Sequence, residues 1–358
     1  MSHCQHFGTC GGCAVASPRA IDKFLLLRNA LAQAGFLDAS IAPLVEVPAG
    51  TRRRVDLAAT RRGSDISLGL HKARGVEVVD MRECALLRPA FLPLLPPLRE
   101  LLRSLTAFRR VGEVVINWLD NGPDILLRMD ADFLLPDRRR IIEFAKAHGA
   151  PRISIATGGA ERPEPVVILR PPVQKFGGVA VTPPPGGFLQ ASAEGEAAIV
   201  SAVLAGLPKL TAKSLIIELF AGCGTLSFPL AGQARVEAYE GDEAAVAAGE
   251  SAARAAGLAG RLAFTRRDLH RRPLQPADMA KAAAVVLDPP FAGAAAQMRF
   301  IAASGVKRVI YVSCNPAALA ADILPLRRAG YGVLSATPID QFPYSGNVES
   351  VVVLGAPK

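Results

Sequence analysis

At 358 residues, half of them hydrophobic and a fifth charged, the chain has room for about two domains, and its composition excludes a disordered protein. Its net charge of +9 favours a polyanionic partner such as nucleic acid or an acidic membrane surface. The amino terminus lacks a charged segment followed by an apolar run, and proline, glycine or charges break every candidate membrane span, so a cytoplasmic protein is expected. Six unevenly grouped cysteines suggest ligands and a reactive thiol rather than a disulfide framework.

The first motif is Cys4-Gln5-His6-Phe7-Gly8-Thr9-Cys10-Gly11-Gly12-Cys13. Three thiols on a tight glycine-bearing loop suit a metal or an iron–sulfur cluster, and Cys84 is the natural fourth ligand. Zinc completed by His3 or His6 is the rival occupant. A helix is expected over Ile21 to Ala34, then short strands at Arg52–Ala58, Ile66–Leu70 and Val76–Asp80. The Arg52–Arg54 run reads either as a phosphate-contacting edge or as a solvated turn. A proline-punctuated helix spans Leu86 to Leu105, and two strands flank Asp120-Asn121-Gly122 within Val111 to Met129. A helix opening at Arg138 and ending at His148 precedes strands Ile153–Thr157 and Val166–Leu169. The Pro-Gly stretch 171–187 marks the domain boundary, which places a β-rich first domain at 1–175 and a second at 176–358.

After a helix over 188–207 and a linker from Lys209 to Lys213, strand 214–220 runs into Ala221-Gly222-Cys223-Gly224-Thr225 and another helix. Strand, Gly-x-Gly turn and helix make a nucleotide-type cofactor loop, because glycines let backbone approach a ligand closely. The third dinucleotide-fingerprint glycine and the Gly-Lys-Ser/Thr of a phosphate cradle are both missing, which argues against NAD and ATP. Glu218, Glu240 and Asp268 stand near expected strand ends. Such an acidic rim suits S-adenosylmethionine, which is cationic at sulfur and carries an ammonium group, and Glu240 is placed for its ribose diol. Strand Ala283–Leu287 ends in Asp288-Pro289-Pro290, which turns the chain out of the sheet. The run Val309-Ile310-Tyr311-Val312 then stops at Ser313-Cys314-Asn315-Pro316. Cys314 thus lies at a strand's C-terminal end, where it is either a packed thiol or a nucleophile. A helix over 317–329, a strand around 331–336 and a last strand over 348–354 with Glu349 near its start complete the chain.

Phe188-Leu189-Gln190, Glu218 to Thr225, Leu287 to Pro290, Val312 to Pro316 and Asp340-Gln341-Phe342-Pro343…Val348-Glu349 resemble, in this order, the RNA (uracil-C5)-methyltransferase family over nearly the whole chain. The resemblance implies an α/β fold: a Rossmann-like class I methyltransferase domain with a mostly parallel sheet, and an N-terminal α+β RNA-binding domain whose residues 14–48 or so pack on the catalytic one. It implies a [4Fe-4S] cluster on Cys4, Cys10, Cys13 and Cys84, and S-adenosylmethionine held by Gln190, Phe220, Gly222, Gly224, Glu240, Asp268 and Asp288. Cys314 would be the nucleophile, Glu349 the base, and Asp288 would hold the uracil edge. RNA is the expected partner of a monomer that does not bind membranes, 23S rRNA first and tRNA second, with Arg53 and Arg54 gripping it. An RNA cytosine-C5 methyltransferase is an alternative, although the second cysteine those enzymes usually carry near Asp-Pro-Pro is missing here; a non-catalytic iron–sulfur RNA-binding relative is another. Phe291 stands where the family usually has Arg, Asn347 where it usually has His, and the barrel that precedes the cysteines in many members is not seen.

Overall fold

The computed structural model describes residues 4–158, 162–211 and 213–357; His3, the rival zinc ligand, lies outside them, as does residue 212 of the expected linker. Helix α1 (Lys23–Gln33) starts at Asp22, whose carboxylate caps the Leu25 N–H, and Val45–Glu46 forms the short strand β1. Strands β2 (Arg54–Arg62) and β3 (Asp65–Gly69) follow. The expected strand Val76–Asp80 does not form: Val76 to Glu77 is exposed, so no buried face pins a register, and only a His71–Val78 bridge remains. The proline-rich segment splits into a 3-10 turn, Pro89–Leu94, and helix α2 (Leu95–Ser104), because Pro93 has no N–H while Pro96 and Pro97 sit in the first helical turn, where none is needed.

Strands β4 (Val111–Leu119) and β5 (Gly122–Met129), helix α3 (Leu135–His148), and strands β6 (Arg152–Thr157) and β7 (Glu164–Ile168) complete a six-stranded sheet ordered β3-β2-β4-β5-β6-β7. It is antiparallel except where α3 carries the chain from β5 across to β6. Leu98, Leu102, Ile141 and Phe144 of α2 and α3 cover one face. The 171–187 stretch is not structureless. It holds a hairpin of β8 (Gln174–Phe176) and β9 (Val179–Val181), turned by Gly177 and Gly178, both at positive φ.

Then come α4 (Ala193–Gly206), β10 (Leu215–Leu219), α5 (Ser227–Ala231), β11 (Arg235–Glu240), α6 (Glu243–Ala255), β12 (Leu262–Arg266), α7 (Pro276–Met279) and β13 (Ala284–Leu287). The chain ends with α8 (Ala295–Ser304), β14 (Arg308–Ser313), α9 (Pro316–Arg328), β15 (Gly332–Asp340) and β16 (Glu349–Gly355). Eight strands pair in the order β1-β15-β16-β14-β13-β10-β11-β12, all parallel except β16. Val309 to Val312 are fully buried, as their unbroken apolar run requires of a strand covered on both faces. The N-terminal β1 edges this sheet and α1 packs on α9, while Phe176 and Val181 of the hairpin join its core. No helix among the described residues is long and apolar enough to cross a membrane.

Arg152 of β6 lies opposite Asp124 of β5, both buried, with Nε and Nη2 donating to the two carboxylate oxygens at 2.8 and 2.7 Å. Nη2 also donates to Pro183 O at 2.8 Å and so fastens the end of the 171–187 stretch. Arg152→Met leaves a buried carboxylate uncompensated and should cost about 3–5 kcal/mol, whereas Arg152→Met with Asp124→Leu should recover most of that. Urea unfolding of the two variants checks the difference.

Candidate active site

Three strand ends and one extended segment deliver the site. Cys314 directly follows β14, and Asn315 caps α9 by accepting the Ala317 and Ala318 N–H groups, so the thiol is fixed between a strand end and a helix start. β14 and β16 pair from Arg308–Gly355 to Ser313–Ser350, and the same register carried one residue further sets Cys314 opposite Glu349. Directly opposed antiparallel residues have Cβ atoms roughly 4.5–5.5 Å apart. Asp288 leaves the end of β13, the other neighbour of β14. Gln190 arrives from the extended segment before α4: the expected helix over 188–207 starts only at Ala193, after the Ser192 cap, which frees Gln190 to point at the strand ends.

A chain of side-chain hydrogen bonds joins these groups. Gln190 Nε2 donates to Asp288 Oδ2 at 2.9 Å, and Gln341 Nε2 donates both to Gln190 Oε1 at 3.0 Å and to Glu349 Oε2 at 2.6 Å. Burial, with the Asp288 charge adding, pushes Glu349 up to about 8. Burial likewise raises Asp288 to about 7 and Glu218, with Asp288 and Glu240 nearby, to about 8. Burial and the charges of Glu349 and Asp288 push the Cys314 thiol up to about 12.

The glycine loop follows β10. Phe220, Gly222 and Gly224 all have positive φ, and a Cβ added at Gly222 would meet nothing within 4 Å, so the turn faces open space. Glu240 braces the loop by accepting the Gly222 and Asp242 N–H groups, each at 2.8 Å, one on each oxygen. Glu218 Oε2, buried beneath the loop, has no hydrogen-bond partner. An orphaned acidic acceptor under an open glycine turn, beside two further acids, fits the cationic S-adenosylmethionine. Asp268 is more peripheral. Its Oδ1 accepts from the His270 and Arg271 N–H groups, and the His270 ring lies 5.5 Å from that of Phe220.

Arg53 does not reach outward. It is 2% exposed, its guanidinium pairs with Glu196 at 2.5 Å and Nε donates to Gln190 O at 3.1 Å. Arg54 is half-buried, donating to Gly186 O, Gly187 O and Asp56. Of the expected RNA-gripping pair, Arg53, just before β2, is therefore an internal strut under Gln190, held inward by Glu196, while Arg54 ties the 186–187 backbone. Asn347 is exposed, and so is Phe291, whose carbonyl accepts from Asn315 Nδ2 at 2.9 Å.

Cys4, Cys10, Cys13 and Cys84 line one cavity of about 1050 Å³ together with Arg52, Leu70 and Met81. Backbone N–H groups of His6 and Gly12 approach the sulfurs of Cys4 and Cys10 at 3.4 Å. Cys13 is pushed up to about 11 by burial and by nearby Cys84, Cys10 and Cys4. Among the described residues no group of three or more His, Cys, Asp or Glu converges as a metal-ion site, and His6 Nε2 accepts the Arg82 N–H.

The raised carboxyls set a sign for pH dependence. Glu349 binds its proton more tightly folded than unfolded, so its contribution to stability is whole below about pH 4.5 and is lost as pH rises toward about 8. Melting temperatures of the cofactor-free protein between about pH 5 and pH 8 should fall less steeply in Glu349→Gln than in the unchanged chain.

The family model for tRNA (uracil-5-)-methyltransferase matches residues 186–356, which hold the cofactor loop, Cys314 and Glu349. An uncharacterised RNA methyltransferase of Mesorhizobium japonicum is 38% identical over 99% of this chain and 84% of its own length. The 23S rRNA (uracil(1939)-C(5))-methyltransferase RlmD of Edwardsiella ictaluri is 32% identical over 98% and 80%. The crystal structure of Pyrococcus abyssi tRNA (uracil-54, C5)-methyltransferase with S-adenosyl-L-homocysteine aligns with TM-score 0.69 over 93% of this chain and 82% of that one, and at 19% identity it speaks for the fold. The glycine turn, the thiol and the buried acids all lie at the ends of one sheet and within residues 186–356, and on these relatives this chain belongs to the RNA (uracil-C5)-methyltransferase family of S-adenosylmethionine-dependent enzymes.

Proposed function

We propose that the chain methylates C5 of a uridine in RNA, 23S rRNA before tRNA, through a covalent adduct on Cys314. The observation that carries this is the opposition of Cys314 and Glu349 across β14 and β16, with Asp288 at the neighbouring strand end. The likeness to RlmD favours 23S rRNA.

C5 of uracil is a poor nucleophile. Cys314 Sγ, as thiolate, bonds to C6 and pushes the C5=C6 electron pair onto C5. S-adenosylmethionine supplies the electrophilic methyl group that C5 takes up. Glu349 then removes the C5 proton, the C–H electrons restore C5=C6, and the C6–S bond breaks to return the thiolate. Net, one methyl cation is exchanged for one proton, and Cys314 ends as it began. The protonated Cys314 of the ligand-free site is consistent with this: a positive charge set against Asp288 and Glu349 offsets the two carboxylates that hold the thiol proton in place. Asp288, tied to Gln190, would hold the uracil edge, and Gln190, Phe220, Gly222, Gly224 and Glu240, with Asp268 at the rim, would hold the cofactor. Reaching Cys314 requires the uridine to leave its stack.

We assign Cys4, Cys10, Cys13 and Cys84 as ligands of a [4Fe-4S] cluster. Four thiols lining one cavity, two of them receiving backbone N–H groups, support a cluster held by cysteine thiolates.

RNA from a strain deleted for this chain and grown with 5-fluorouracil tests the first claim. With S-adenosylmethionine present C5 takes the methyl group, and fluorine at C5 cannot then leave as a proton, so the protein should form a denaturant-stable adduct that Cys314→Ala abolishes; absence of any adduct defeats the proposal. For the second, protein purified without oxygen should contain about four irons and absorb as an iron–sulfur protein. Stoichiometric zinc with no iron absorbance rules the cluster out.

A further inference from the structure

We infer that Gln341 is a positioning residue for the base: clamped by a buried ion pair from helix α1, it aims Glu349 at the C5 proton. This rests on the reading of Glu349 as base and deepens it.

Three observations meet at Gln341. Its amide nitrogen spends both protons on the site, one toward Gln190 and one toward Glu349 Oε2. In the state in which Glu349 acts as base, Asp288 and Glu349 are carboxylates and only accept, so both intervening amides donate outward. Glu349 Oε2 is thereby committed as an acceptor, and a backbone hydrogen bond from Ser350 further fixes the carboxyl.

Lys23 holds the residues on both sides of Gln341. Its ammonium, 1% exposed, pairs with the Asp340 side-chain carboxylate and donates to the Phe342 backbone O at 2.7 Å. A lysine this buried is otherwise unexplained on a helix that carries none of the chemistry.

The third observation is the seat of the amide. A Cβ added at Gly195, in the first turn of α4, would come within 2.7 Å of Gln341 Oε1 and 2.9 Å of its Cβ. The amide is packed where only a glycine leaves room, and Oε1 has no hydrogen-bond partner there. A glutamine kept buried with one polar atom unsatisfied is poor for stability; its two donated bonds are what the site gains.

Gln341→Leu keeps the bulk and removes the donors. If Gln341 aims the base, sulfur addition and methyl transfer continue while proton removal lags. With ordinary uridine RNA from the deletion strain and methyl-labelled S-adenosylmethionine, the variant should then accumulate a denaturant-stable, methyl-bearing protein–RNA adduct that the unchanged enzyme does not build up. Turnover should fall about 10–100-fold, the scale of a small misplacement at a reacting centre. The rising limb of the pH–rate profile should move to higher pH, because Glu349 loses the bond that favours its ionised form. Gly195→Ala should show the same adduct by displacing the amide sterically, and it carries the test should Gln341→Leu fail to fold. Wild-type turnover with no accumulated adduct in the folded variant overturns the inference. Failure of the unchanged enzyme to trap 5-fluorouridine RNA overturns the parent reading instead, so the two failures are distinguishable.

Discussion

One reversed strand holds the site together. Every other strand of the eight-stranded sheet runs parallel, so each ends at the same edge, where ligands bind in open α/β sheets. β16 is antiparallel and therefore begins there, and its first residue is Glu349. A parallel β16 of the same seven residues would leave that carboxyl about 20 Å away, at the opposite edge. A one-residue slip would turn it to the other face. Pairing on both sides, with β14 and β15, makes such a slip costly, since Val351 to Leu354 are buried throughout.

The same edge collects charge that a protein interior resists. Glu218, Asp288 and Glu349 are buried within one acidic cluster, and each keeps its proton well above the ordinary carboxylate range because burial penalises the anion, with the Asp288 charge adding at Glu218 and Glu349. Amide donors relieve Asp288 and Glu349 in part, while Glu218 retains an orphaned oxygen. A cationic ligand resolves this arrangement better than any rearrangement of the chain, which is the electrostatic sense of placing acids around a sulfonium donor.

Much of this was legible in the chain itself. Cys314, Asp288 and the glycine loop each stand where an apolar run breaks at Pro or Gly, so strand ends can be read from local chemistry. The α/β sheet followed from the same runs. Contacts between distant segments were not legible. Gln341 lies in a recognisable motif, yet its role depends on Gln190, 151 residues earlier. Arg53 reads as part of a solvent-facing basic run until β2 acquires a register and Glu196 a position. The 174–181 hairpin hides in a Pro-Gly stretch because its two strands are three residues each, too short for periodicity to register.

The clamp of Lys23 on Asp340 and Phe342 also bears on how the chain comes to be folded. The ion pair spans 317 residues, and β1 closes against β15 at the same edge. During synthesis β1 and helix α1 leave the ribosome long before β15 does. Until β15 follows, β1 has no partner, and an unpaired edge is a template for association with other chains. High separation between contacting segments also slows folding. Helix α1 and strand β15 are thus interdependent in time as well as in space: an active site that borrows its support from α1 is completed only once β15 and β16 have been made.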